Sequence, residues 1–561
     1  MNEELRRLGD EYWDYMMEVN PTHAMMLGDH RFDDKVEDAS REAEDGQIAR
    51  LRDFAARASA VDPAGLGKDE QITRDVLIFE VSTGADALEM RAAEFDVNHA
   101  MGLQAMIPVL IPQLPIEEPE HAEALIEKYR GFARLFDEMS DRLREGLAND
   151  RTPAAVTTEK TVEQLDGMLA LPIEEDPFLN VRVPASFDAD ATEAWKARLA
   201  SVVRDTIRPA LQRYRDTIAN EVLPFARPQE RSGVSWVPGG AEMYAKAIHQ
   251  HTTLHMDADQ IHEIGLVQVE RLAGEYRKLG MEALGTDDLD EIFNRLRNDP
   301  DVHFVAGPEV VAAGERALAK AKSAMGDWFG RLPQADCIVA ETPSGPTAFY
   351  FPPATDGSRP GMFFVNTSDP THWGRYEIEA IAYHEGIPGH HLQLAIAQEL
   401  EGIPEFRKHA GVTAYAEGWG LYTERLADEM GLYSGPLERI GMLSADSMRA
   451  GRLVVDTGLH AKGWSRQQAI DFFAENSPMS IGTIENEVDR YIGMPGQALA
   501  YMIGRLEIQR MRREAEEAQG ERFDIKGFHD TVLDSGMMPL DTLARLVKEW
   551  TTSVLVTPRP S

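Results

Sequence analysis

The sequence predicts a mostly α protein with one small β-sheet, and three observations lead there. Long stretches repeat apolar residues every three or four positions, as in "EHAEALIEKYRGFARLFDEMSDRLREGL" at 120–147, which is the spacing of an amphipathic helix. Aromatic and β-branched runs bounded by turn formers are confined to 337–368. The 561 residues are 43% hydrophobic and 27% charged, without compact repeats or low-complexity tracts, a composition that sustains an ordered core.

Residues 1–230 read as an N-terminal helical lobe. Within it, "DATEAWKARLASVVRDTIRPALQRYRDTIANEVLPFA", 190–226, keeps its helical period through Pro209. A kink is expected there, because proline lacks the N–H that closes the preceding turn. "ARPQERSGVSWVPGG", 226–240, clusters turn formers without periodicity and marks the boundary. Residues 231–561 form the second, catalytic lobe, where helical patterns resume in "AEMYAKAIHQHTTL" and "DADQIHEIGLVQVERLAGEYRKLG". The small sheet at 337–368 follows, with two short runs flanking "PPATDGSRPG" as a hairpin or paired strands. Helix returns at Tyr376 and dominates to about residue 550.

Acidic residues outnumber basic ones by 95 to 57, a formal charge of −38. Such a surface repels nucleic acid and anionic membranes, so neither is an expected partner, and a ligand carboxylate must be held by local arginines. Cys337 is the only cysteine, which excludes an intrachain disulfide and a thiolate metal cluster. The opening "MNEELRRLGDEYWDYMMEVN" has no apolar h-region, and no stretch reaches about 18 uninterrupted apolar residues. A cytoplasmic protein is expected, with an exported chain trimmed of its leader as the alternative.

The chemistry concentrates in "IAYHEGIPGHHLQL", 381–394. A catalytic zinc ion takes three protein ligands and keeps one position open. Two histidines four apart on a helix, with a glutamate beside the first, supply two ligands and a base. His384 and Glu385 fit, but position 388 is proline, and His390 and His391 stand six and seven residues on. On a regular helix, residues six apart diverge by about 120° and rise about 9 Å, and residues seven apart rise about 10.5 Å, so neither joins His384 on one ion. Pro388 denies the His384 carbonyl its donor and is bracketed by Gly386 and Gly389, so the segment is expected to bulge and extrude two residues. His390 then takes the second ligand place, and His391 points away as a supporting contact. The third ligand is expected on "TAYAEGWGLYTERLADEMG", 413–431. Glu417 is the first choice, with Glu424 as alternative ligand or as the group that orients one.

Motif and chain resemble a large bacterial family of unknown function, domain 885, marked by "HEGxPGHHLQ". The likeness runs from "NPTHAMMLGDHRFDD" through "HQHTTL", "AFYFPP", "FFVNTS" and "AYAEGWGLY" to "GRLVVDTGLHAKGWSRQQAI" and "RYIGMPGQALAYMIG". That family in turn looks like a distant relative of the angiotensin-converting-enzyme-like and thimet-oligopeptidase-like zinc peptidases, the gluzincins. "HEGIPGHHLQ" parallels their zinc helix, and "AEGWGLY" parallels the helix bearing their glutamate ligand. The resemblance implies one Zn2+ on His384, His390 and Glu417, with Glu385 as general base. It implies an elongated two-lobed helical body with a deep central cleft. It also implies an edge strand on the cleft floor at "AFYFPP" and "MFFVNT", where Tyr350 and Asn366 would contact an extended peptide.

For the oxyanion and the substrate, "RYIGMPGQALAY" offers Arg490, Tyr491, Gln497 and Tyr501. Tyr491, ahead of a Gly/Pro turn, is the expected oxyanion donor, in line with the late-helix tyrosine of the related peptidases. The alternative is a core tyrosine. Arg452 and His460 lie two turns apart, with Asp456 between them. Arg452 is expected to pair with Asp456 or, like Arg490, to grip a substrate carboxylate. His460 is a further catalytic candidate. His249, His251 and His255 read as cleft wall, since no carboxylate lies among them. The expected function is zinc-dependent hydrolysis of short peptides, as a dipeptidase or carboxypeptidase. The alternatives are a zinc hydrolase of another amide or an ester, and a metal-free peptide binder, against which Glu385 counts.

Overall fold

The structure, a computed structural model, describes residues 2–343, 346–354, 357 and 359–556. It is mostly α with a small mixed three-stranded sheet, as the periodicity predicts. Helices start where side chains can accept the unpaired N–H groups of the first turn. Asn2 accepts from Glu4 and Leu5, Ser40 from Ala43, and Ser465 with Gln468 closes a capping box. The stretch 190–226 stays helical, and the expected kink takes another form. Helix Ala189–Val202 widens into a π-helical turn at Val203–Ile207 before helix Arg208–Asp216. The wider turn accommodates the donor that Pro209 lacks.

Among the described residues, buried apolar side chains form three clusters. One unites Leu5, Phe54 and Val81 with residues from Val234 to Val547. A second gathers Phe136, Trp195 and Tyr214. The third includes Val455, Phe473 and Tyr491. The first helices of the chain thus pack with its second half. Helix Pro436–His460 joins the first and third clusters, and nearly every side chain from Ile440 to His460 is buried. Its polar members must therefore find partners. Asp446 takes Arg425 at 2.6 Å and Arg505. Burial opposes its charge, but the two guanidiniums hold its carboxyl down at about 2.

The sheet comprises β1 (Cys337–Thr342), β2 (Ala348–Phe351) and β3 (Gly361–Asn366) in the order β1-β3-β2. β3 runs parallel to β1 and antiparallel to β2, with Tyr350 opposite Phe363. Gly361, Phe363 and Val365 alternate inward, the period of a half-buried strand. The pairing expected around "PPATDGSRPG" is present as β2 and β3; Thr355, Asp356 and Ser358 of that loop lie outside the described residues. β2 is an edge strand packed beside helix Ile378–Glu385, which carries the histidine-glutamate pair.

Candidate metal centre and active site

Helix Ile378–Glu385 ends one residue after His384, and a new helix, His390–Gln398, starts on His390. The expected bulge is therefore a complete break between two helices. Gly386 and Gly389 leave helical geometry, at ψ −120° and −129°. A Cβ on Gly389 would sit 1.9 Å from the carbonyl oxygen of His384, so the chain folds back only over a glycine. The Ile387–Pro388 peptide is cis. The turn is closed from outside, where the Trp419 indole donates to the Pro388 carbonyl at 3.0 Å, and from within, where His391 N–H donates to Gly386 O at 3.0 Å.

The fold-back sets the rings of His384 and His390 edge to face with centroids 4.8 Å apart. Helix Thr413–Glu429 adds Glu417, whose Oε2 lies 3.5 Å from His384 Nε2 and 3.4 Å from His390 Nε2. One ligand atom from each of the three residues lies within 4.8 Å of the other two. Two donors about 2.1 Å from one tetrahedral ion are about 3.4 Å apart, so the spacing and the two-nitrogen, one-oxygen donor set fit zinc. The helix comes this close because Gly420 carries no side chain, since a Cβ there would lie 2.7 Å from His384 Cε1, and on its other side Gly418 packs on Gly504 of helix Ala500–Gln519. A Cβ on Gly504 would lie 1.9 Å from the Ala414 carbonyl oxygen.

Glu424, on the same helix as Glu417, receives the Nδ1–H of His384 at 2.8 Å and is fully enclosed. That bond orients the ring so that Nε2 faces Glu417. Burial disfavours a charged His384, but Glu417 and Glu424 outweigh it and raise the imidazole to about 9. Burial likewise opposes the Glu417 carboxylate, yet His384 and His390 hold it well below the usual range. Without metal the pair is imidazolium and carboxylate, so an entering cation displaces a proton. Glu385, next to His384, is partly exposed. Gln393, one turn beyond His390, stands 3.5 Å from its Nδ1.

His391 points away from the centre, as expected. Its Nδ1 meets the Tyr350 hydroxyl at 2.8 Å, and its Nε2 donates to the Ala335 carbonyl at 3.0 Å. Tyr350 is thereby a strand-to-helix tie, which its expected substrate contact does not allow for. Asn366 also departs from expectation. Its Oδ1 accepts from Ser368 N–H and its carbonyl from the Trp373 indole, so it shapes the turn after β3.

Tyr491 is not placed for an oxyanion. It is fully buried, donates to Glu487 at 2.6 Å and accepts from Arg452 Nε at 2.8 Å. Tyr501 lies nearer the centre than Tyr491 does. Its ring stacks on His384 at 6.5 Å, it bonds Gln497, and burial, then Glu417, raises its phenol. His460 is structural too. Val234 N–H donates to its Nδ1, its Nε2 donates to the Tyr491 carbonyl (both 3.0 Å), and burial lowers it to about 4. The expected Arg452–Asp456 pair does not form. Arg452 bonds Glu487 at 2.8 Å and lies 4.5 Å from the Tyr501 ring, while Asp456 takes Tyr244 at 2.6 Å and Gly496 N–H at 3.1 Å. Arg490 shares Glu487 at 3.0 Å and holds Gln497 at 2.8 Å.

Glu487 and Arg449 were not singled out from the sequence. Arg449 lies 5.8 Å from the Tyr501 ring and 3.9 Å from Glu424, and its signal is a position three residues before Arg452. A second grouping, His30, Asp33 and His121, was also unforeseen. Its imidazoles stack face to face at 3.8 Å and 10°, so their in-plane lone pairs run parallel and do not converge. His249 and His255 stack likewise at 4.1 Å.

Two solved structures resemble the whole chain. A provisionally named lipoprotein of Colwellia psychrerythraea has a TM-score of 0.92 at 27% identity, over 98% of this chain and 99% of that one. A provisionally named lipoprotein of unknown function from Shewanella oneidensis has a TM-score of 0.77 at 19% identity, over 97% and 99%, a likeness of fold alone. Among curated proteins there is no match. No helix among the described residues is long and apolar enough to cross a membrane. With its "HEGIPGHH" break, its glutamate-bearing helix and a family profile that matches residues 21–547, the chain belongs to the bacterial proteins of unknown function grouped as DUF885.

Proposed function

We propose that the protein hydrolyses short peptides, as a dipeptidase or carboxypeptidase, using one zinc ion held by His384, His390 and Glu417. The observation that carries this reading is the convergence of those three donors, at separations of 3.4 and 3.5 Å, beside Glu385. Zinc bound there supplies a Lewis acid for the scissile carbonyl and lowers the pKa of a water. Glu385 is the base that takes a proton from that water and passes it to the leaving amine. Tyr501, kept protonated by burial and by Glu417, donates to the developing oxyanion. Arg452 and Arg490 share the single carboxylate of Glu487, which leaves one positive charge beside Tyr501. That charge suits a substrate carboxylate against the −38 field of the chain. In this reading the cleft lies between two lobes, and the free edge of β2 takes the extended peptide.

Protein purified without chelator is expected to carry about one zinc per chain and to cleave members of a short-peptide library. Glu385→Gln keeps the metal and loses about 10²–10⁴-fold in rate, the usual contribution of a general base. Absence of stoichiometric zinc, or an active Glu385→Gln enzyme, overturns the reading.

A further inference from the structure

A cavity of about 200 Å³ is lined by Asp96, Arg227, His251 and the turn Gly493–Pro495, and shares no residue with the metal centre. Most of its remaining wall is apolar, including Phe95, Met243 and Ile492. Three polar groups line it, each with at least one atom that has no protein partner. Arg227 donates Nε to the Arg231 carbonyl and Nη2 to the Ser232 carbonyl, both at 3.1 Å, but its Nη1 is buried and unpartnered. Among the described residues no carboxylate pairs with that guanidinium, and the Asp96 carboxylate makes no hydrogen bond or ion pair. His251 Nδ1 is likewise buried and unpartnered.

The Asp96 side chain is exposed to solvent at the cavity wall. Burial lowers Arg227 to about 10 and His251 to about 4. Asp96 and Arg227 line the same chamber, yet neither compensates the other. An uncompensated buried charge destabilises a fold strongly, so the Arg227 guanidinium calls for an anionic partner, and the exposed Asp96 carboxylate lining the same chamber suits the cationic end of a small dipolar molecule.

We propose that this cavity binds a free α-amino acid with an apolar side chain. Arg227 Nη1 takes the carboxylate, Asp96 with His251 Nδ1 takes the ammonium group, and Phe95, Met243 and Ile492 receive the side chain. The volume is smaller than the roughly 300–1,000 Å³ of drug-sized ligand sites and suits a ligand of this size. The inference does not rest on the zinc reading, because the two sites have no residue in common.

The test is calorimetry and thermal melting of the full chain with L-leucine, with 4-methylpentanoate, which lacks the amine, and with 3-methylbutylamine, which lacks the carboxylate. L-Leucine is expected to bind one per chain and raise Tm, with each analogue at least about tenfold weaker, the effect of 1.4 kcal/mol. Arg227→Gln and Asp96→Asn each weaken leucine at least about tenfold, the same 1.4 kcal/mol, while His390→Ala leaves it unchanged. Unliganded Asp96→Asn melts no lower than the parent, since it removes an unpaired charge. If Arg227→Gln fails to fold, Asp96→Asn and the two analogues decide. No leucine binding at millimolar concentration, equal binding of the analogues, or undiminished binding by Asp96→Asn overturns the proposal. Loss of leucine binding in His390→Ala alone would put the amino acid at the metal centre and overturn it as well.

Discussion

Glu424 meets no ligand in the proposed mechanism, yet it decides which nitrogen of His384 faces Glu417. Its Oε1 takes the Nδ1–H at 2.8 Å, and its other carboxylate oxygen is buried without a partner. Glu424→Ala releases the ring and leaves a void behind it, so zinc affinity is expected to fall about 10–100-fold, the usual effect of losing such a support. Competition against a chromophoric chelator measures it, and unchanged affinity would show that His384 is held by packing alone. The centre itself was legible in the sequence, because the odd spacing of His384 and His390 coincides with the residues that break a helix. Tyr491, on helix Ile481–Gly493, is buried against helix Pro436–His460 through Arg452 and His460. His460 and the Arg452–Asp456 pair were misread for one common reason. Helix Pro436–His460 is buried on all sides, so residues four apart on it lose to partners from other helices. Glu487 takes Arg452, and Tyr244 with Gly496 takes Asp456.

At the scale of elements, the site depends on a helix that stops. The spacing alone, histidines six residues apart, is compatible with a bulge or a break; the choice is made by contacts that no local pattern records, the Trp419 indole on Pro388 and the close carbonyl of His384 under Gly389. Gly389→Ala places a methyl 1.9 Å from that carbonyl oxygen, and overpacking of this kind costs about 1–3 kcal/mol. Relief must swing His390 away from Glu417, so the variant is expected to lose zinc while its far-UV circular dichroism stays close to the parent. Gly482→Ala, at a helical glycine with open space around its Cβ position, is the control and should be neutral or slightly stabilising. A Gly389→Ala chain with parental zinc affinity would show that the break tolerates a side chain. The other elements follow the same division. Strands β2 and β3 were readable from composition, whereas the parallel partner β1 and the π turn before Pro209 are settled by tertiary packing.

Across the whole molecule, buried titratable groups tie distant segments together and couple stability to pH. Asp456 joins helix Pro436–His460 to Tyr244 and to the Gly496 turn, Glu80 joins Tyr12 to Gly411 N–H, and Glu377 accepts from Gly374 N–H. Burial pushes each of these carboxyls up to about 7, against the hydrogen bonds that oppose it. Each therefore holds a proton in the folded state that the unfolded chain releases near its ordinary carboxyl pKa. Their stabilising contribution is full below that ordinary pKa and is lost as pH rises toward and through about 7. His251 and His460, lowered to about 4, and His529, lowered to about 3, act in the other direction and weaken the fold as pH falls below about 6.5. The two sets offset one another in mild acid, and above about 6.5 the carboxyls act without that opposition. The metal-free chain is thus expected to melt lower at pH 8 than at pH 6. Asp456→Asn keeps an acceptor for Tyr244 and Gly496 but cannot ionise. It should match the parent at pH 5 and melt a few degrees above it at pH 8. Melting curves of both proteins across pH 5–8 decide the matter, and a gap that does not widen with pH would show that Asp456 does not titrate in this range.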